Sequence, residues 1–193
     1  MDHQSIIESI NKHIALSENE LLIFLSSLKR KKIDRKSLIL AQGQVCEYIY
    51  FVESGALRAF YLDESGKEST IMFAIKDWWV TDMYCFINQK PSMLMIEAIE
   101  DSLVYQLKKT DLDELYINVP QFEKLFRILM QNAYIREQLR VIDNLSLSAE
   151  ERYEIFINKY PEVAHKVKQK QIASYLGITA EFLSMIKNKK AKT

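Results

Sequence analysis

From Gln121 to Asn144 the chain runs without a glycine or a proline. Through that stretch Leu125, Ile128, Asn132, Ile135, Leu139 and Ile142 recur at 3-4-3-4-3 spacing. The spacing predicts one long helix with an a/d seam, isoleucine at each d position and Asn132 at one a position. A second apolar stripe, Phe122, Phe126, Leu129 and Ala133, lies offset from the first round the same helix. One stripe is expected to bury inside the protomer and the other to meet a partner. A polar Asn132 on the seam suits a register device, so a parallel homodimer is expected along the first stripe. A single broad core-facing helix is the alternative.

What precedes that helix reads differently. Ser17 and Glu20 have capping-box spacing ahead of Leu21, Leu22, Phe24, Leu25 and Leu28, which predicts a helix. The basic run Lys29-Arg30-Lys31-Lys32 is expected to be its solvated C-terminal end, where cations suit the helix dipole. From Ser37 to Leu107 short β-branched and aromatic runs follow: 38–41, 48–52, 56–62, 69–75, 78–80, 94–98 and 103–107. Runs at such intervals are the pattern of a sandwich or barrel. Asp63-Glu64-Ser65-Gly66 reads as a hairpin loop. Thr110 and Asp113 are expected to cap a short helix ending before Pro120.

After the long helix, Ser148 and Glu151 open another helix by a capping box, and Tyr160-Pro161 breaks it. The segment from Gln169 to Asn188 has helix-turn-helix spacing. Ala173 is small where two helices cross, Gly177 supplies the tight turn, and Thr179 caps the second helix. Ile172, Leu176, Ile178, Leu183 and Ile186 are the apolar positions that would hold the pair together. From residue 165 onward there are seven lysines (Lys166, Lys168, Lys170, Lys187, Lys189, Lys190, Lys192) against Glu181, a net +6. The chain as a whole has zero net charge, so the rest carries −6. The positive end therefore falls on the suspected DNA reader.

Much enzymatic chemistry is excluded. The four glycines, Gly43, Gly55, Gly66 and Gly177, are too widely spaced for a dinucleotide fingerprint, a Walker loop or a nucleophile elbow. His3, His13 and His165 show no zinc spacing, and the strand region holds no histidine for a cupin-like metal site. Cys46 and Cys85 are too few for a disulfide framework, and neither a cofactor nor a metal is expected. No run of about 18 apolar residues suggests a membrane span. Residues 1–20 lack the apolar centre of a signal peptide, so a cytoplasmic location is expected.

The order of parts resembles the Crp/Fnr family of bacterial transcription regulators, and in its last stretch the Bacteroidetes branch of that family. The resemblance rests on Tyr48-Ile-Tyr-Phe-Val-Glu-Ser-Gly55-Ala-Leu-Arg58, on Asp63-Glu-Ser-Gly66-Lys-Glu68, and on Ser148-Ala-Glu-Glu-Arg-Tyr153 through Gln171-Ile-Ala-Ser-Tyr-Leu-Gly-Ile-Thr179. It implies an α+β chain in three parts. An antiparallel, jelly-roll-like β-roll of the cyclic-nucleotide-binding type would occupy 1–119, a dimerisation helix 120–145 and a helix-turn-helix domain 146–193. It implies double-stranded DNA, a second copy of the chain and RNA polymerase as partners. The wing that often follows the recognition helix is expected to be absent or vestigial, since only Lys189-Lys190-Ala191-Lys192-Thr193 remains.

Two departures bear on function. Nucleotide-binding members carry Gly-Glu-Leu and then Arg-Ser-Ala, in which Glu takes the ribose hydroxyl and Arg the cyclic phosphate. The matching stretches here are Thr81-Asp82-Met83 and Ser92-Met93-Leu94, without the arginine or the glycine. Cyclic AMP is therefore not the expected effector. Trp78, Trp79, Asp82, Met83, Tyr84, Phe86, Met93 and Met95 are expected at the pocket instead, either filling the roll themselves or lining a site for an apolar small molecule. The recognition helix also lacks arginine, so base reading falls to Thr179, Ala180, Glu181, Ser184, Met185 and Lys187. Lys168, Lys170, Lys189 and Lys190 would meet phosphates. The rival reading is a non-catalytic adaptor with a cyclic-nucleotide-binding-like roll that no longer reads DNA specifically.

Overall fold

The computed structural model describes residues 3–190, with the side chain of Lys190 left out. Two helices open it, α1 (Gln4–Asn11) and α2 (Glu18–Ser27). The Ser17/Glu20 capping box forms as expected, the Ser17 amide donating to Glu20 at 2.8 Å. Helix α1 is not expected from the sequence, yet Ile6 and Ile10, with Ile14 after it, lie buried in the main core. The basic run is a correction. It forms strand β1 (Leu28–Ile33) rather than a helix end, with Lys29 through Lys32 exposed. Leu28 and Ile33 anchor the two ends, and the charged middle keeps this edge strand from pairing with another chain. Arg30 is held by Glu53 on the same sheet at 2.7 Å.

The remaining strands are β2 (Leu38–Leu40), β3 (Tyr48–Ser54), β4 (Ala56–Leu62), β5 (Glu68–Ile75), β6 (Trp79–Val80), β7 (Met95–Ala98) and β8 (Ser102–Lys108). They form two four-stranded antiparallel sheets, β1-β8-β3-β6 and β2-β7-β4-β5. Phe51, Val52, Leu57, Ile96, Val104 and Leu107 lie buried in one core that the sheets share with the helices packed on them. Gly55 turns β3 into β4 at φ +90, and a Cβ there would lie 2.3 Å from the Ser102 hydroxyl. Both the conformation and the contact demand glycine.

A short helix between β6 and β7, α3 (Met83–Asn88), carries no sequence signal that separates it from a strand or loop. Helix α4 (Lys109–Asn118) is expected, but its N-cap is Lys108, without a side-chain cap. Thr110 and Asp113 lie inside it, with Asp113 paired to Lys109 at 2.6 Å. The long helix is α5 (Gln121–Ser146), with Phe122, Leu125 and Phe126 buried against the roll. Four helices follow: α6 (Ala149–Lys159), α7 (Pro161–Lys166), α8 (Gln169–Leu176) and α9 (Ala180–Lys190). Pro161 does end α6, but it also starts α7 at a position that needs no amide donor.

The C-terminal helices share a second core of Tyr153, Phe156, Val163, Ile172, Leu176, Leu183 and Ile186. Phe73 of β5 completes it. Strand β5 is an edge strand whose free backbone groups are taken up by these helices. The Ser174 hydroxyl of α8 donates to the Glu68 carbonyl at 2.7 Å and accepts from the Thr70 amide at 2.8 Å. Arg140 of α5 donates to the Ile71 carbonyl at 2.7 Å. The helix-turn-helix unit thus docks on the roll through α8 and covers the sheet edge.

Candidate nucleic-acid interface and sensor region

Helices α8 and α9 meet around the αL turn at Gly177, φ 70, where the Gly177 amide returns to the last carbonyls of α8. Thr179 caps α9, accepting from the Phe182 amide at 3.2 Å. Leu183 and Ile186 face the core, which sets the rotation of the helix and exposes Glu181, Phe182, Met185, Lys187 and Lys189. Ala180 and Ser184 are half-buried, and Thr179 is exposed. Hydrogen bonds from its own backbone amide, then from Thr179, hold the Glu181 carboxyl below its ordinary range. It is therefore ionised in the first turn, favourable for the helix but repulsive to phosphate. Phe182 escapes the sequence reading because an aromatic beside Leu183 reads as core. Only the packed helix pair shows that it lies on the open side.

The lysines separate into two groups. Lys168 and Lys170 line a cleft with Arg35, Lys36, Arg58, Glu68, Glu97 and Gln171, where the roll faces α8. Arg58, only 2% exposed, is held there by Glu68 and Glu97, each at 2.7 Å. Lys189 lies at the far end of α9, paired with Glu150 at 3.0 Å. The side chain of Lys190 and the whole of residues 191–193, including the expected vestige of a wing, lie outside the described residues.

In the sensor region the Asp82 carboxylate gathers four donors of its own chain. Oδ2 accepts from the Ser92 hydroxyl at 2.8 Å, the Met93 amide at 2.9 Å and the Leu94 amide at 3.2 Å. Oδ1 accepts from the Cys85 amide at 3.2 Å and caps α3. Asp82 is buried, so these charge-assisted bonds satisfy a carboxylate that has left water. Of the aromatic and thioether set, Trp78, Trp79, Met83 and Phe86 belong to or pack on the main core. Trp79 packs on Phe51 and Phe126, at ring distances of 5.3 and 5.6 Å. Phe86 is buried and Met83 packs on the same core. Trp78 packs on that core as well and meets Tyr160 edge-on at 5.8 Å. Met95 is half-buried on β7, while Tyr84 and Met93 are exposed. Cys46 donates its amide to the Cys85 sulfur at 2.7 Å. Burial first, and then the Cys85 contact, push the Cys46 thiol up to about 12, which leaves almost no thiolate at neutral pH.

Along α5 the expected seam divides. Leu125 is 1% exposed and belongs to the protomer core, which corrects its assignment to the partner face. Ile128 is half-buried and Asn132 exposed. Ile135, Leu139 and Ile142 are 53%, 49% and 49% exposed, beside exposed Tyr134, Val141 and Leu145. The second stripe packs inward as expected, with Phe122 on Phe24 at 4.7 Å.

Residues 30–118 match the family model of the cyclic nucleotide-binding domain. The regulatory protein HlyX of Actinobacillus pleuropneumoniae is 27% identical over 183 residues, covering 89% of this chain and 75% of that protein. Residues 30–118 thus carry a domain of the cyclic nucleotide-binding type. Among solved structures, a putative transcriptional regulator of the Crp/Fnr family from Eubacterium rectale superposes with a TM-score of 0.71 at 17% identity, over 89% of this chain and 82% of that one. FixK2 of Bradyrhizobium japonicum gives a TM-score of 0.75 at 20% identity, over 86% and 85%. The α+β architecture of roll, long helix and C-terminal helices is therefore the fold of these two proteins. The loop Ser92-Met93-Leu94 thus offers its amides to a carboxylate of the same chain. No helix among the described residues is long and apolar enough to cross a membrane.

Proposed function

We propose that this chain is a Crp/Fnr-type transcription regulator, acting as a homodimer that reads a two-fold DNA site with α9, without cyclic AMP as its effector. One observation carries the reading: the helix-turn-helix docks on the roll through α8, leaving the outer face of α9 open. The dimer forms along Asn132, Ile135, Leu139 and Ile142, with Ile128 at its margin. The parts are a sensor roll (1–119), a dimerisation helix (120–145) and a DNA-binding domain (146–193). Thr179, Ala180, Glu181, Ser184, Met185 and Lys187 approach base edges, and Phe182 joins them as an apolar contact for thymine methyls. Lys168, Lys170, Lys189 and Lys190 meet phosphates. RNA polymerase is the further protein partner, and the cytoplasm is the location.

Two copies related by a two-fold axis present their reading helices about 34 Å apart, one turn of the major groove. Without arginine on α9, bidentate guanine reading is unavailable from this helix, and preference comes from Ser184, Lys187, methyl contacts and DNA shape. Binding-site selection with the purified protein at near-physiological salt tests this. A palindromic motif with half-sites about 10 bp apart is expected. Recovery of no two-fold motif would favour the adaptor reading, which the arginine-free helix and the engaged Lys189 would then explain.

A further inference from the structure

The cleft between the roll and α8 gathers like charges from two distant parts of the chain. Six cations line it, Arg35, Lys36 and Arg58 from the roll and Lys166, Lys168 and Lys170 from the helical side, against two acids, Glu68 and Glu97. Arg58 answers both acids, at 2.7 Å from each. Lys166 is paired with Glu100 at 2.9 Å. The Asp101 carboxylate accepts from the Arg35 amide at 2.8 Å and leaves its guanidinium unpaired. Arg35, Lys36, Lys168 and Lys170 therefore line the cleft without an acidic partner among the described residues. All four are exposed, so a solute can reach their charged ends.

The walls are held together by contacts that do not use these four charges. The Gln171 side-chain amide donates to Glu97 at 3.3 Å, Lys166 ties to Glu100, and the Ser174 hydroxyl bonds the backbone of β5 on both sides. The Lys36 amide donates to the Ala98 carbonyl at 2.8 Å, which pins its loop to β7. Cations held about one space repel one another, and an anion placed among them removes that repulsion. The space available to the centres of water-sized groups is about 280 Å³. At about 10–15 Å³ per such group, that admits roughly 20 groups, ample for an inorganic triphosphate of about 13 heavy atoms. Ala98 and Ile99 are the only apolar residues of the lining, so the cleft suits a ligand without an apolar body.

We propose that this cleft binds a compact polyphosphate anion, held between Arg35 and Lys36 of the roll and Lys168 and Lys170 of the helical side. Three of the four free cations are lysines, point charges with three donors each, which suit the tetrahedral oxygens of phosphate better than the planar fork of a carboxylate. A polyphosphate also carries several charges in little volume, enough to meet both walls at once. Lys168 and Lys170 are the groups assigned above to DNA phosphates, so a bound polyphosphate withdraws them and lowers DNA affinity. That consequence rests on the regulator reading, whereas the binding itself does not.

The test titrates the full chain calorimetrically with inorganic triphosphate and pyrophosphate, in metal-free buffer at matched ionic strength. Sulfate and citrate are the controls. Saturable binding of one triphosphate per chain is expected, with pyrophosphate weaker, citrate weaker still and no saturation by sulfate. Lys36→Asn and Lys168→Gln should each weaken triphosphate about two- to fivefold, the worth of one exposed ion pair, and the double variant about tenfold. Both positions are exposed, and asparagine tolerates the left-handed backbone of Lys36 at φ 68, so the fold should persist. Lys124→Gln, outside the cleft, removes the same charge and should leave binding unchanged. Triphosphate should also weaken DNA binding severalfold in the wild type and less in Lys36→Asn, a position with no part in the DNA reading. Absence of saturable binding at concentrations on the order of 5 mM would overturn the proposal. So would equal loss in Lys124→Gln and Lys36→Asn, which would mean a response to bulk charge, or citrate binding as tightly as triphosphate. A chain that binds triphosphate but no DNA would keep the site and refute the regulator reading. One that binds both without competition would refute the coupling.

Discussion

Replacing Asp82 with alanine removes the acceptor of four donors at once. Two of the four retain partners: the Ser92 hydroxyl keeps the Leu94 carbonyl at 2.8 Å, and the Leu94 amide keeps the Ser92 oxygen at 3.1 Å. The amides of Cys85 and Met93 lose the acceptor shown for them, at 3.2 and 2.9 Å. A donor left unmade costs about 1–3 kcal/mol, so the two together cost roughly 2–6 kcal/mol. Part of this returns, because the variant no longer buries a carboxylate, and a net loss of about 2–4 kcal/mol is expected. For a chain of this size that lowers the melting midpoint by roughly 4–16 °C. Asp82→Asn keeps one oxygen that can accept from Ser92, Met93 and Leu94, so it should be milder. Circular-dichroism melts with matched urea titrations measure both. Neither variant supplies a guanidinium, so calorimetry should detect no tight cyclic AMP binding to either. An Asp82→Ala midpoint within about 2 °C of the wild type would refute the structural role. Low-micromolar cyclic AMP binding to the wild type would refute the account of the sensor region.

Ile135→Asp should yield monomers in sedimentation velocity with little change in protomer stability. It places like charges opposite each other on the seam, at a cost of several kcal/mol. Leu125→Ala should instead destabilise the protomer by about 2–5 kcal/mol through a core cavity, read by urea melts. A wild type that sediments as a monomer at micromolar concentration would sink the dimer. Lys189→Ala should weaken binding to all DNA sequences alike and flatten the salt slope by about one unit for each phosphate no longer neutralised, with Ser184→Ala relaxing preference at a base pair by about 1–3 kcal/mol. The exposed pair of Lys189 with Glu150 is worth little, so removing it should not lower stability measurably. Burial pushes Cys46, Tyr50, Tyr116 and Tyr175 up to about 12 from ordinary values of 9 or 10. These groups stay protonated in the folded chain while the unfolded chain ionises. Their contribution is therefore fully present below about pH 9 and is lost as pH rises toward 12. Urea midpoints that do not fall between pH 8 and about 10.5 would contradict this.

The two capping boxes, at Ser17 and Ser148, and the Gly177 turn were legible in the chain because each is a local device. The partners lie within a few residues, so spacing alone specifies the contact. The strands from 38 to 107 were legible for a related reason: short β-branched runs between breaks admit little else. Lys29 to Lys32 misled because four consecutive cations suit a helix end and an exposed edge strand equally. What decides is pairing with β8, whose residues lie more than seventy positions further on for most of the strand. Leu125 misled because a heptad seam is a property of one helix, whereas burial depends on which neighbour arrives first. The first turns of α5 meet the roll, and only the later ones remain open to a partner.

The candidate site divides along the same line. From residue types and order the chain itself determined a helix-turn-helix with an arginine-free reading helix and a cassette without its cationic partner. Those are statements about which side chains exist, and folding does not alter them. Tertiary structure alone decided that Asp82 is spent on its own loop, that Phe182 faces outward, and that Arg140 reaches the edge of β5. Each of these depends on segments distant in the chain lying within about 3 Å of one another or failing to, and hydrogen bonds act only over that range.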